Sequence, residues 1–164
     1  MGPPAMTTFI SELVLPEAEE LLLRKHGEET YPEEACGFLI GPAPSSGTSP
    51  RRVEQIVRAE NEKREERTHR FLVNPAQFRR LEQECEAQGK SILGIYHSHP
   101  DHPAEPSTFD LEHAWPWYAY VLVGVERGTA VRVNAFELDP EGAGWQPRPI
   151  RRPPSSPHNG GTHE

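Results

Sequence analysis

The stretch Gly94-Ile95-Tyr96-His97-Ser98-His99-Pro100, continued to Ser107-Thr108-Phe109-Asp110, decides how the rest of this chain is read. Ile92, Leu93 and Ile95 ahead of the histidines have the character of a buried strand. In a strand, residues i and i+2 point to the same face, so His97 and His99 aim at one point. Ten residues then intervene before Asp110, which closes a third side if the loop folds back. Two imidazoles and one carboxylate, with a fourth position open, make up the donor set of a catalytic zinc site.

The surroundings fit a small enzyme domain. The chain has 164 residues, enough for one core. Its 17 Lys and Arg stand against 25 Asp and Glu, a formal net charge of −8. That balance argues against nucleic-acid binding, which needs a basic face, and against an anionic membrane surface. Hydrophobic residues are 35% of the chain, and the mean hydropathy is −0.70. No apolar run approaches the roughly 20 residues of a membrane span. Met1–Thr8 has no basic segment leading into an apolar one, so the sequence predicts no secretion signal. Cys36 and Cys85 are too few for a disulfide framework and read as packed thiols, in keeping with a cytoplasmic protein.

The pattern along the chain predicts alternating strands and helices. Phe9–Leu15 reads as an opening strand. A helix starts at Pro16, with Glu17, Glu19 and Glu20 near its beginning and Arg24, Lys25 and His26 near its end. Gly27 reads as its stop, and Ala18, Leu21 and Leu22 as its packing face. Ala35–Gly41 is a buried strand and Arg52–Ala59 an alternating one, with the Pro-, Ser- and Gly-rich loop Pro42–Pro50 between them. His69–Val73 reads as a strand. Asn74-Pro75 opens a helix through Phe78, Leu81 and Cys85 to Gly89. Ser107 reads as the cap of a further helix with Asp110 in its first turn. Tyr118–Val125 and Ala130–Leu138 pair through the turn at Glu126-Arg127-Gly128-Thr129. The domain spans 9–150. Residues 1–8 and 151–164 read as flexible termini, apart from a short strand near Arg148–Ile150.

A zinc hydrolase also needs a carboxylate beside the attacking water that is not itself a metal ligand. Glu34, at the mouth of the Ala35–Gly41 strand, is the better choice, because it directly precedes the small residues Ala35-Cys36-Gly37; Glu33 competes with it. Ser107 can cap a helix and can also donate a hydrogen bond to an oxyanion. His102 and His113 are candidate extra ligands or substrate contacts. Cys36 is a candidate inhibitory ligand, though a packed small residue is the simpler reading. Trp115, Trp117 and Tyr118 read as core and rim packing, and Glu60–Arg67 as a solvated turn; the alternative is that the basic residues within Glu60–Arg70 line the approach.

Together, Glu34, His97-Ser98-His99-Pro100, Ser107 and Asp110 resemble the motif of the JAMM (MPN+) zinc metalloproteases: Glu, then His-x-His-Pro, then Ser-x-x-Asp. Glu34–Gly41, Arg70–Pro75 and Tyr96–Pro103 look like the small bacterial branch that includes the Mec-type peptidases, and the similarity runs over roughly residues 9–140. The resemblance implies an α/β (α+β) fold of the cytidine-deaminase-like kind, a twisted mixed β-sheet flanked by helices. It implies Zn2+ held by His97, His99 and Asp110, Glu34 as general acid/base and Ser107 as the oxyanion partner. The substrates it implies are bonds just after the Gly-Gly tail of a ubiquitin-like or sulfur-carrier (ThiS- or MoaD-like) protein. The competing expectations are a non-catalytic MPN scaffold binding ubiquitin-like partners and a deconjugase in a bacterial conjugation or antiviral system. A RadC-like role linked to DNA is disfavoured by the acidic balance. The oligomeric state is left open.

Overall fold

The structure is a computed structural model in which residues 10–59, 74–107, 117–139 and 144–154 are described. Among them, the chain forms β1 (Leu13–Val14), α1 (Glu17–Thr30), β2 (Cys36–Pro42), β3 (Arg51–Arg52), β4 (Gln55–Ala59), α2 (Pro75–Ala87), β5 (Lys90–Pro100), β6 (Ala119–Glu126), β7 (Thr129–Leu138), β8 (Trp145–Arg148) and β9 (Ile150–Arg151). The main sheet has the order β4-β2-β5-β6-β7-β8. Its neighbours are antiparallel except β5 and β6, which are parallel. In a smaller sheet β1 lies between β3 and β9, parallel to both. This is the mixed α/β architecture expected of the sequence.

Alternation along the strands separates two cores. Val121, Val123 and Val125 of β6 join Tyr96, Leu39 and Leu93 beneath Leu23 of α1. On the other face Phe38, Ile40, Ile92, Ile95 and Tyr120 pack with Leu81 and Cys85 of α2. The second helix therefore covers the first part of β5 and leaves the His97–Pro100 end to other residues. Asn74 caps α2 as expected, its side-chain oxygen accepting from the N–H groups of Ala76 (2.8 Å) and Gln77 (3.2 Å). Strand β5 extends beyond the apolar run at Ile92, Leu93 and Ile95 in both directions and carries both histidines within its ladder. The opening strand is shorter than predicted. The chain expected to be loose after Ile150 continues in β9 to Arg151, and Arg152 is tied to Glu20 at 2.7 Å. The expected strand His69–Val73 and the helix after Ser107 lie outside the described residues.

Helix α1 differs most from its sequence reading. It runs through Gly27 to Thr30, and its inward face is Glu20, Leu23, His26 and Gly27. Leu21 and Leu22 face solvent, 57% and 48% exposed. A polar face can turn inward here because each polar group has a partner. Glu20 is held by Arg24 at 3.1 Å as well as by Arg152. His26 Nδ1 lies 2.7 Å from the Tyr96 hydroxyl. Gly27 is a point of close approach to the sheet: a Cβ there would sit 3.1 Å from Val125 Cγ2 and 3.4 Å from Ser98 Cβ.

The His26–Tyr96 pair is buried beneath this helix, and the Tyr96 ring lies across Gly37. A Cβ at position 37 would meet Tyr96 Cζ at 2.5 Å. Burial, assisted by Arg58, lowers the His26 imidazole to about 4, with Glu29 opposing. Burial also raises the Tyr96 hydroxyl. At the far end of the sheet, the buried Arg51 donates to the Leu93 carbonyl (3.0 Å), pairs with Glu137 (3.6 Å) and lies 4.1 Å from the centre of the Trp117 ring.

Two outcomes follow from this packing. Gly37→Ala displaces the Tyr96 ring and costs about 2 kcal/mol or more in urea unfolding. An unfolded histidine takes up a proton near pH 6.5, which folded His26 refuses until about pH 4. The stability contributed by neutral His26 is thus present above pH 6.5 and lost as the pH falls toward 4. His26→Gln flattens that part of a Tm-against-pH curve.

Candidate active site

The site is built where the start of β2 meets the end of β5. In their antiparallel register, Cys36 faces His97 and Gly37 faces Tyr96. The next pair is closed by the Ser98 N–H, which donates to the Ala35 carbonyl at 2.9 Å. Continuing that register one step past the Ala35–Ser98 bonds leads to Glu34 and His99, which line one cleft. Ser98 points the other way, toward α1, and its Oγ accepts the Ala35 N–H at 2.9 Å. Glu34, His97, Ser98 and His99 are all buried, with exposures of 6%, 1%, 1% and 6%.

The His97 and His99 rings lie 5.0 Å apart between centroids, tilted by 54°. His99 Nδ1 is 2.7 Å from the Pro103 carbonyl oxygen. A carbonyl can only accept, so Nδ1 carries the proton toward Pro103 and Nε2 is the other ring nitrogen. A backbone carbonyl on one ring nitrogen is the usual outer support of a metal-binding histidine.

Past Pro100 the chain turns back over this end of the sheet. Asp101 has φ 57°, and its N–H donates to the Val125 carbonyl at 2.6 Å. Ala104 is buried, and its carbonyl accepts from Asn134 Nδ2 at 3.0 Å. Between this return and the sheet lies a cleft of about 350 Å³, walled by Glu34 and His99 on one side and by His102, Pro103, Glu105, Pro106 and Ser107 on the other.

The fold thus brings together four residues singled out by the sequence: Glu34, His97 and His99 at the strand ends, and Ser107 exposed on the cleft wall. Asp110 lies outside the described residues, as do His113, Trp115 and the segment 60–73. Among the described residues, no three His, Cys, Asp or Glu side chains are gathered as a complete metal site. Glu33 is half-buried and does not line the cleft, whereas Glu34 does. His102 is exposed on the cleft wall. Cys36 is a buried free thiol, pushed up to about 12 by burial and then by the Glu34 carboxylate. Trp117, 46% exposed, packs over Arg51.

Sequence reasoning missed two supports. Ser98 was visible in principle, since the parity that aligns the histidines must send the residue between them to the opposite face. The Pro103 carbonyl carries no side-chain signal, and only the turn at Asp101 brings it to His99.

A mixed sheet between two helices, with strand-borne histidines and a carboxylate at a polar cleft, defines a mixed α/β domain. The chain belongs to the prokaryotic homologues of the JAB domain, whose family profile matches residues 16–138, and hence to the JAMM/MPN family that its motif resembles. A probable TtuB-protein conjugate cleaving protease of Thermus thermophilus is 34% identical over 114 residues, covering 67% of this chain and 72% of that protein. A desampylase of Haloferax volcanii is 32% identical over 92 residues, covering 56% and 62%. Among solved structures, a protein from Salinibacter ruber matches with a TM-score of 0.65 and 38% identity over 85% of this chain and 90% of its own. A protein from Desulfitobacterium hafniense shares the fold, with a TM-score of 0.75 and 24% identity over 92% and 99%.

Ser98→Ala leaves the buried Ala35 N–H without its acceptor and costs about 1–3 kcal/mol in denaturant unfolding. Amide exchange at Ala35 accelerates with it.

Proposed function

We propose that this chain is a zinc-dependent peptidase that hydrolyses the bond after the C-terminal Gly-Gly of a ubiquitin-like or sulfur-carrier protein. The observation that carries the reading is that Glu34 and His99 line one cleft, with the His99 proton held on Nδ1. Two imidazoles on one face, one of them held through Nδ1 by a backbone carbonyl, suit a borderline divalent cation such as zinc. His97, His99 and Asp110 would hold it. When bound, zinc supplies a Lewis acid and brings the pKa of water toward about 7.

The protein's own residues would do the remaining work. Glu34 takes the proton of the attacking water and delivers it to the leaving nitrogen as the C–N bond breaks. Ser107 donates a hydrogen bond to the carbonyl oxygen as negative charge develops there. A cleft of about 350 Å³ admits an extended tail and not a folded domain. Glycine allows that backbone to approach without a side-chain clash. The names of the two relatives support a hydrolase acting on ubiquitin-like conjugates and favour conjugate cleavage over trimming of a sulfur carrier. The net charge of −8 speaks against a nucleic-acid partner. No helix among the described residues is long and apolar enough to cross a membrane. We place the protein in the cytoplasm.

Purified chain should contain about one zinc and should release a ubiquitin-like protein joined through its terminal Gly-Gly to a lysine side chain. Glu34→Gln keeps the metal and lowers the rate by about 10²–10⁴-fold. His97→Ala and His99→Ala lose the metal. A chain that binds no zinc, or an E34Q variant that cleaves at the wild-type rate, overturns the mechanism.

A further inference from the structure

The return of the chain after His99 depends on one side chain that the chemistry above does not use. Asp101 is a non-glycine residue at φ 57°, a conformation that needs support from its surroundings. Its two carboxylate oxygens are occupied by different parts of the fold. Oδ2 accepts from the Tyr31 hydroxyl at 2.7 Å, and Oδ1 accepts from the Arg127 N–H at 2.9 Å. Tyr31 closes α1 and stands three residues before Glu34. Arg127 is in the β6–β7 turn, itself at φ 51°. Asp101 therefore ties the segment leading to Glu34, the end of the histidine strand and a neighbouring hairpin to one carboxylate. Pro103, whose carbonyl fixes the proton of His99, is two residues further on.

We propose that Tyr31, Asp101 and the Arg127 N–H form a brace that holds the Pro103 carbonyl on His99 Nδ1, making Asp101 a positioning residue for the cleft. The metal-binding half of this inference rests on the function proposed above; the ring-orienting half does not. The brace acts through geometry. With both carboxylate ties in place the 101–103 turn has one arrangement, and the His99 ring has one tautomer. Without them the turn is held at this point by the Asp101 N–H to Val125 and by a long 3.4 Å contact from the His102 N–H to the His99 carbonyl. The Pro103 carbonyl then drifts from Nδ1, and His99 divides between its two tautomers. Asp101 is exposed and its bond to the half-buried Tyr31 lies at the surface, so the effect of losing that bond falls on the cleft and not on the core.

The test uses the full chain without metal and long-range proton–nitrogen NMR of the His99 ring. The wild-type ring should be the Nδ1–H tautomer. Asp101→Ala and Tyr31→Phe should move it toward a mixture while leaving Tm nearly unchanged. Asp101→Asn, which tolerates the same backbone and keeps an acceptor and a donor, should restore the wild-type ring. Asp101→Gly separates backbone from side chain: it relieves the φ requirement but supplies no ties, so it should behave like D101A. A wild-type ring spectrum in D101G or D101A overturns the brace. Zinc titration of the same samples should show about 10-fold weaker binding in D101A and D101G. A ring that responds in a chain that takes up no zinc leaves the brace standing and removes the peptidase reading. Normal zinc binding with an unresponsive ring does the reverse.

Discussion

The Ala35–Ser98 pair is the joint on which the cleft depends. These residues are 63 apart in sequence, yet they exchange two hydrogen bonds of 2.9 Å, one from each backbone N–H. A slip of one residue between β2 and β5 would send Glu34 or both histidines to the α1 side of the sheet. Ser98 opposes that slip because its hydroxyl, not a backbone carbonyl, receives the Ala35 N–H. The register is therefore fixed by a side chain at the very step where the two halves of the cleft meet.

Most of the fold was legible because the strands alternate cleanly and their ends carry strong turn and cap signals. Asn74-Pro75 and the Arg127-Gly128 turn are local chemistry, and local chemistry is what a sequence displays. The pairing of two histidines on one face followed from strand parity alone. The partnership of Glu34 with them did not, since it depends on which strands lie side by side; the motif's resemblance pointed to it before the ladder did. The support from the Pro103 carbonyl had no signal at all, because every residue carries a carbonyl.

Helix α1 was misread for an instructive reason. Apolar content favoured Ala18, Leu21 and Leu22 as the inward face, but the sheet beneath presents a tyrosine hydroxyl, and Arg24 of the helix itself and Arg152 beyond β9 flank Glu20. Glu20 and His26 meet those groups, and Gly27 allows the helix to settle close. Satisfying buried polar atoms outweighed the burial of two leucines. Reading an amphipathic helix from its own residues assumes an apolar floor, and here the floor is partly polar.

The one parallel pairing in the main sheet, between β5 and β6, has a consequence for how such a cleft can change over time. Since Gly94 pairs with Ala119 and Pro100 with Val125, the chain leaving Pro100 must travel back along the strands before β6 can begin. Ser107 rides on that obligatory return, while the histidines belong to the ladder and Glu34 stands two residues before β2. Insertions or deletions on the return can reshape what the cleft admits without shifting a single rung of the sheet. The histidine side of the cleft is fixed by the ladder, and the side carried by the return is left free to vary.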